Sequence, residues 1–484
     1  MALCLVAAVR VFVFSAAFPF FNNVDEQYHF DLVLKYSHGH VPRTLEPLSL
    51  ETLRYLALYG SPEYFNRPRN SLGFPPPGWT QPEPERSAML AKLADRPPET
   101  NTESSHGPVY YTLAGWWMRA GRRFGLGGGY LLYWVRFLNV FLVAGLVWIA
   151  YAAAKQTFPA DRFVRLGVPT LVAILPQDAF YSIQNDVLSP VFFGLAFLGL
   201  VRWLSSDKPG ALLSIAIGLA LAMLFLVKVS NLPLAAVGIL AVLLRGWQRA
   251  RGGRLRETWL SVALVPVCAG LPVSCWISWN LHTFGDATAS AAKIRALGWT
   301  SKPAGEWLSH PIFTPGGFSY FWSELMARFW RGEFVWGLTP LASPAMDAFY
   351  GISSAVLIGV AVMSLLPRFS RASGTGREAL LLGAVSFLAA VGYLAVLSVW
   401  FDFGQCWYPS RALPYFTSGR LILGALIPFL MLYLHGLDWA ARRLKCEGLR
   451  WWLLAGIALS AGGSQIALNQ VAFFSAYNWF HLHA

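Results

Sequence analysis

Asp25 and Glu26, followed three residues later by His29, stand in the stretch Asn22-Asn23-Val24-Asp25-Glu26-Gln27-Tyr28-His29-Phe30, directly after the first apolar segment. Two carboxylates and an imidazole are costly to keep beside hydrocarbon, so their placement points to a task. On a helix, adjacent side chains diverge by roughly 100°, which stops the two acids from sharing one proton and gives them separate roles. Asp25 suits a general base that takes a proton from a hydroxyl nucleophile. Glu26 then orients the acceptor or holds Asp25 through its neighbours. The competing reading makes Asp25 the N-cap of a helix at a polar junction.

A base alone performs no glycosyl or phosphoryl chemistry, because a leaving phosphate needs cationic partners. Lys228, Arg411 and Arg420 each fall near the end of an apolar run, and an arginine fork grips a phosphate through two hydrogen bonds. Taken singly, each also fits a side chain reaching for the interface or pairing with an acid. His29, His38, His40 and His106 with Asp25 are a low-specificity metal pattern, so no metal site is assigned. The sequence calls for no cofactor and leaves open a divalent cation.

These residues must be held by a membrane scaffold. The chain has 484 residues, 55% hydrophobic and only 13% charged, too apolar for a soluble globular protein of this size. The net charge of +13 sits in short clusters between apolar runs, an orientation signal that excludes nucleic acid as partner. Five scattered cysteines, Cys4, Cys268, Cys275, Cys406 and Cys446, imply no disulfide framework. Apolar runs lie at about 3–21, 130–153, 167–183, 187–203, 210–227, 231–245, 258–279, 350–367, 379–400, 419–437 and 451–470. Alternate connections carry the basic clusters, such as Arg245, Arg249, Arg251, Arg254 and Arg256, or Arg368, Arg371 and Arg377. The expected fold is therefore an all-α polytopic membrane protein of about eleven transmembrane helices, N-terminus inside and C-terminus outside.

This topology places Asp25 in a large first extracytoplasmic loop, 22–129, that carries surface helices. The piece from Asp25 to about Ser37 is expected along the membrane surface, and His106 to Trp117 is expected flat on the outer face. Three parts follow: a transmembrane catalytic module over 1–280, a second outer loop over 281–348 and C-terminal helices over 349–484. Aromatic residues in both loops, and Trp407 and Tyr408 further on, suit stacking on sugar rings or an interfacial belt.

With these residues in view, the chain resembles the GT-C superfamily of integral membrane glycosyltransferases, which includes protein O-mannosyltransferases and lipid A aminoarabinose transferases. Asp25-Glu26-x-x-His29-Phe30 looks like the family's first-loop Asp-Glu motif, and His106-Gly107-Pro108-Val109-Tyr110-Tyr111 is similar to its His-Pro-Pro-Leu element. Asp186 after the helix ending in Leu175-Pro176, Lys228 closing a later helix, and Ser418-Gly419-Arg420 also fit. Gly107 departs from the pattern, standing where many relatives have proline. The resemblance implies an inverting transfer of a sugar from a polyprenyl-phosphate donor to an extracytoplasmic acceptor, in the bilayer of a bacterial inner membrane. Asp25 and Glu26 would be catalytic, and His29, His106, Asp186, Lys228, Arg411 and Arg420 would bind substrate. The rival is a lipid-linked-sugar flippase or other transporter, which would place charge through the middle of several helices. Here mid-helix charge is sparse, apart from Arg10 and Arg136.

Overall fold

The computed structural model describes all residues except 68–72, 94, 96, 253–254, 367–373, 407 and 483–484, together with the side chains of 255–257. Arg254, Arg256, Arg368, Arg371 and Trp407, invoked above for orientation or stacking, lie outside what is described. Among the described residues the fold is all-α apart from two short β-ribbons: Thr300–Ser301 pairs antiparallel with Phe401–Asp402, and Val335–Trp336 with Thr339–Pro340.

Every one of the eleven apolar runs carries a helix, but they are not equal. Eight are long and apolar enough to cross a membrane: Gly128–Thr157, Asn185–Ser205, Val229–Arg251, Thr258–Phe284, Pro344–Ser364, Gly374–Trp400, Gly419–Arg443 and Leu449–Phe473. Ala2–Ala17 and Ala211–Val227 are apolar and shorter. The run at 167–183 departs most from expectation. Its helix, Arg162–Ile174, has 13 residues, about 20 Å, and cannot span roughly 30 Å of hydrocarbon.

Beyond Ile174 the chain continues without α-helix through ten buried residues, Leu175 to Gln184. Backbone polar groups there cannot turn to water and must be satisfied by protein. Arg10 donates to Leu175 O (2.6 Å), Asn139 to Ser182 O (2.8 Å), and Ile183 N–H donates to Glu26 Oε1 (2.9 Å). Arg10, Asn139 and Glu26 thus support an irregular segment from within.

The Gly419–Arg443 helix is the axis of the bundle, with 89% of its apolar window buried against 22% for Thr258–Phe284 and for Leu449–Phe473. Phe429 on it meets Phe329, Trp330 and Phe387 at ring separations of 4.9, 5.8 and 5.1 Å. Small residues let segments approach this core: a Cβ on Gly419 would lie 2.1 Å from Phe329 N.

The first loop folds as a cap containing helices Glu26–Ser37, Leu50–Tyr59, Glu83–Ala91 and Val109–Arg123. Contrary to the surface-lying expectation, Glu26–Ser37 buries ten of its twelve residues. It lies beneath Val109–Arg123, where Gly115 brings the two backbones together, its Cβ position being 3.0 Å from Ser37 N. Val109–Arg123 keeps Trp116 63% exposed, as a helix on the outside of the cap should.

Candidate active site

Asp25 ends the non-helical link between Ala2–Ala17 and Glu26–Ser37 with φ of 65°, a left-handed conformation that aspartate adopts more readily than most residues. It occupies the N-cap position but its side chain makes no capping bond. Instead its carboxylate accepts from Arg420 Nη2 at 2.9 Å, while Arg420 Nη1 donates to Val24 O at 2.9 Å and to Gln184 Oε1 at 3.3 Å. The N-cap alternative is therefore not what the side chain does. Asp25 keeps 38% of its side chain exposed and Arg420 only 14%.

A second pair adjoins the first. Lys228 Nζ donates to both oxygens of Asp186, at 2.9 and 2.8 Å, and Arg420 Nε stands 4.0 Å from Asp186 Oδ2. Lys228 follows the Ala211–Val227 helix, and Asp186 opens the Asn185–Ser205 span. Asn231 donates to Ser189 Oγ at 2.9 Å, so the two turns hold each other. Glu333, from the second loop, accepts from Ser418 Oγ at 2.5 Å two residues before Arg420. Segments from five parts of the chain thus converge on two cations and three acids. Each cation is already paired with an acid within the protein, so an incoming anion would compete for Arg420 and Lys228.

Glu26 faces elsewhere and does not join Asp25 at Arg420. Its side chain is fully buried and bound bidentately by Arg136, with Arg136 Nη2 at 2.7 and 2.6 Å from its two oxygens, and Asn22 Nδ2 adds a bond at 2.9 Å. Its buried carboxylate is satisfied by Arg136, Asn22 and Ile183 N, apart from the Asp25–Arg420 pair. Arg411 is also not part of the cluster: 67% exposed, it pairs with Asp402 at 3.1 Å. Proximity to a helix end in sequence did not place it near Lys228 or Arg420.

His29 and His106 lie behind the ion pairs as stacked rings 5.9 Å apart, bridged by the Tyr111 hydroxyl at 2.8 Å from His29 Nδ1 and 3.3 Å from His106 Nδ1. Glu103 is 2.9 Å from His106 Nε2 and 2.5 Å from Lys293 Nζ. Burial lowers the proton affinity of both imidazoles, and the positive charge of Lys228 adds to it against the pull of Glu103. Burial alone would raise Glu103, but His106 and Lys293 hold it well below the usual carboxylate range. A neutral His106 then donates from Nε2 to ionised Glu103, leaving Nδ1 to accept from Tyr111 or from Asn185 Nδ2 at 3.3 Å. Gly107 has a steric reason to depart from proline: a Cβ there would lie 1.9 Å from Leu226 O.

Sequence reasoning missed Glu103, Tyr111, Gln184 and Glu333. Glu103 was within reach, three residues before His106; Gln184 and Glu333 carried no local signal. Among the described residues, no three His, Cys, Asp or Glu side chains gather as metal ligands.

The fold is similar to a crystal structure of the Archaeoglobus fulgidus oligosaccharyltransferase in complex with zinc and sulfate, at 12% identity and a TM-score of 0.40. The likeness covers 96% of this chain, which spans about half (53%) of that one. No curated protein matches the chain in sequence. The family model described as predicted membrane protein (DUF2142) matches residues 9–404, from within the first helix past Asp25, Asp186 and Lys228, and the chain belongs to that family of membrane proteins.

Proposed function

We propose that the protein is an inverting membrane glycosyltransferase, moving a sugar from a polyprenyl-phosphate donor to a hydroxyl or amine of an extracytoplasmic acceptor. One observation carries this reading: a part-exposed carboxylate, Asp25, is held 2.9 Å from Arg420, which itself adjoins the Lys228–Asp186 pair. Base and phosphate-binding cations are the groups such a transfer needs. The donor phosphate takes over the Arg420 fork and the Lys228 ammonium, which frees the Asp25 carboxylate. The acceptor gives its proton to Asp25, and its oxygen or nitrogen attacks the anomeric carbon from the face opposite the phosphate. The bond from that carbon to the phosphate oxygen breaks, and polyprenyl phosphate leaves with the electron pair. A transporter path is less favoured, because the mid-helix charges Arg10 and Arg136 make protein hydrogen bonds to Leu175, Ser15, Phe18 and Glu26.

The test is transfer from a lipid-linked sugar by the full chain in nanodiscs. Asp25→Asn keeps size and hydrogen bonding but removes basicity, so the rate should fall by about 10²–10⁴-fold. Wild-type transfer by Asp25→Asn would end the assignment of Asp25 as base.

A further inference from the structure

Glu333 follows Gly332, where φ is 89° and a Cβ would lie 2.1 Å from Asp178 Cγ, so glycine is what lets the second loop pass this close to the irregular segment. Three polar groups of Glu333 then bind three different parts of the chain. Its N–H donates to Asp178 Oδ2, and its carbonyl accepts from Asn23 Nδ2 at 2.9 Å. Its carboxylate Oε1 accepts from Ser418 Oγ at 2.5 Å. Asn23 Oδ1 also accepts from Val335 N–H at 2.9 Å, which closes a clamp between the two loops. Each partner stands close to a member of the ion cluster. Asn23 is two residues before Asp25, Ser418 is two before Arg420, and Asp178 belongs to the segment that runs through Gln184 to Asp186.

The backbone bonds of this joint do not depend on the Glu333 side chain, which adds two separable things: a hydrogen bond to the turn that carries Arg420, and a negative charge. That charge acts on Arg420 together with those of Asp25 and Asp186. When a phosphate takes the Arg420 fork, Asp25 is released, whereas Glu333 stays bonded to Ser418 and repels the anion.

We propose that Glu333 is a positioning residue that sets how tightly the site holds a phosphate: through Ser418 it fixes the turn that carries Arg420, and through its charge it keeps Arg420 from holding the anion too firmly to release. This rests on the transferase reading above, in which polyprenyl phosphate leaves after each transfer.

The experiment measures binding of farnesyl phosphate to the full chain in nanodiscs, with the Tm of each variant alongside. Glu333→Gln keeps an oxygen for Ser418 and removes the charge, so it should bind about threefold more tightly, the size of a screened charge several ångströms away. Ser418→Ala keeps the charge and removes the bond, so it should bind about threefold more weakly. A merely structural role would weaken binding in both. In an Arg420→Ala chain, Glu333→Gln should give no gain, because the charge acts through that guanidinium. Should Glu333→Gln fail to fold, adding Glu333→Ala to Ser418→Ala removes the same charge with no hydrogen bond left to lose, and should recover about threefold. Weaker or unchanged binding on loss of the charge, unchanged or tighter binding in Ser418→Ala, an equal gain without Arg420, or no binding by the wild-type chain would overturn the proposal. The expected binding pattern without transfer by the wild-type chain from any polyprenyl-phosphate sugar would sink the transferase reading instead.

Discussion

Glu26 and Arg136 carry opposite charges where neither is exposed, and this decides what each substitution in the Asp25-Glu26 pair should do. Removing one partner of a buried ion pair strands the other and typically costs about 3–5 kcal/mol. Glu26→Gln should therefore lower Tm in detergent clearly, whereas Asp25→Asn, at a part-exposed site, should change it little. A Glu26→Gln protein as stable as wild type but without transfer would return Glu26 to the chemistry. The histidines give a second prediction. His29 and His106 have proton affinities depressed below the ordinary value of 6.5, so below that pH the unfolded chain binds protons the folded chain resists. Their contribution to stability is complete above about pH 6.5 and is lost as pH falls toward their folded values. Tm should drop between pH 7 and 5, and His106→Gln should flatten that slope; an unchanged slope would mean that other groups govern it. The adjacent acids stand out in the sequence, but their different partners depended on Arg136, 110 residues from Glu26.

At the scale of elements, the Ser418-Gly419-Arg420 turn is placed by contact between backbones. A Cβ on Gly419 would fall 2.1 Å from Phe329 N, so Gly419→Ala must push the turn away from the second loop and carry Arg420 with it. Overpacking of this kind costs about 1–3 kcal/mol, and donor affinity should fall with it. Gly456→Ala, where a Cβ meets open space, should leave both Tm and donor binding as they are. Equal behaviour of the two variants would show that the turn yields without cost. Hydropathy located these helices well, because apolar composition is a local property. It misjudged 167–183, because apolar composition continues past Ile174 while the helix does not, and satisfaction of the freed backbone by Arg10, Asn139 and Glu26 is not written locally. Likewise, Glu26–Ser37 has the composition of a surface helix and is buried because the first loop closes over it.

For the molecule as a whole, the alternating basic connections predict the orientation in the bilayer, and with it the side on which Asp25 lies. A cysteine replacing exposed Ser87 in the first loop should react with an impermeant thiol reagent added from outside, and one replacing exposed Gly252 should not. The background thiols Cys275 and Cys446 are exposed and would first be changed to serine. Outside labelling at Gly252 would invert the molecule and place the candidate site in the cytoplasm.

The sequence by itself determined that this is an all-α polytopic membrane protein, because burial of apolar helices in lipid depends on composition over some twenty residues and little else. It also marked Asp25, Asp186, Lys228 and Arg420 as charges at helix ends. Only the tertiary structure decided which of them meet. Asp25 and Arg420 are 395 residues apart and are joined by the packing of the central Gly419–Arg443 helix against the first loop, whereas Arg411, nine residues before Arg420, finds Asp402 instead. Charge pairing is a property of distance in space, falling off within a few ångströms through a balance of desolvation and Coulomb attraction that no local pattern records.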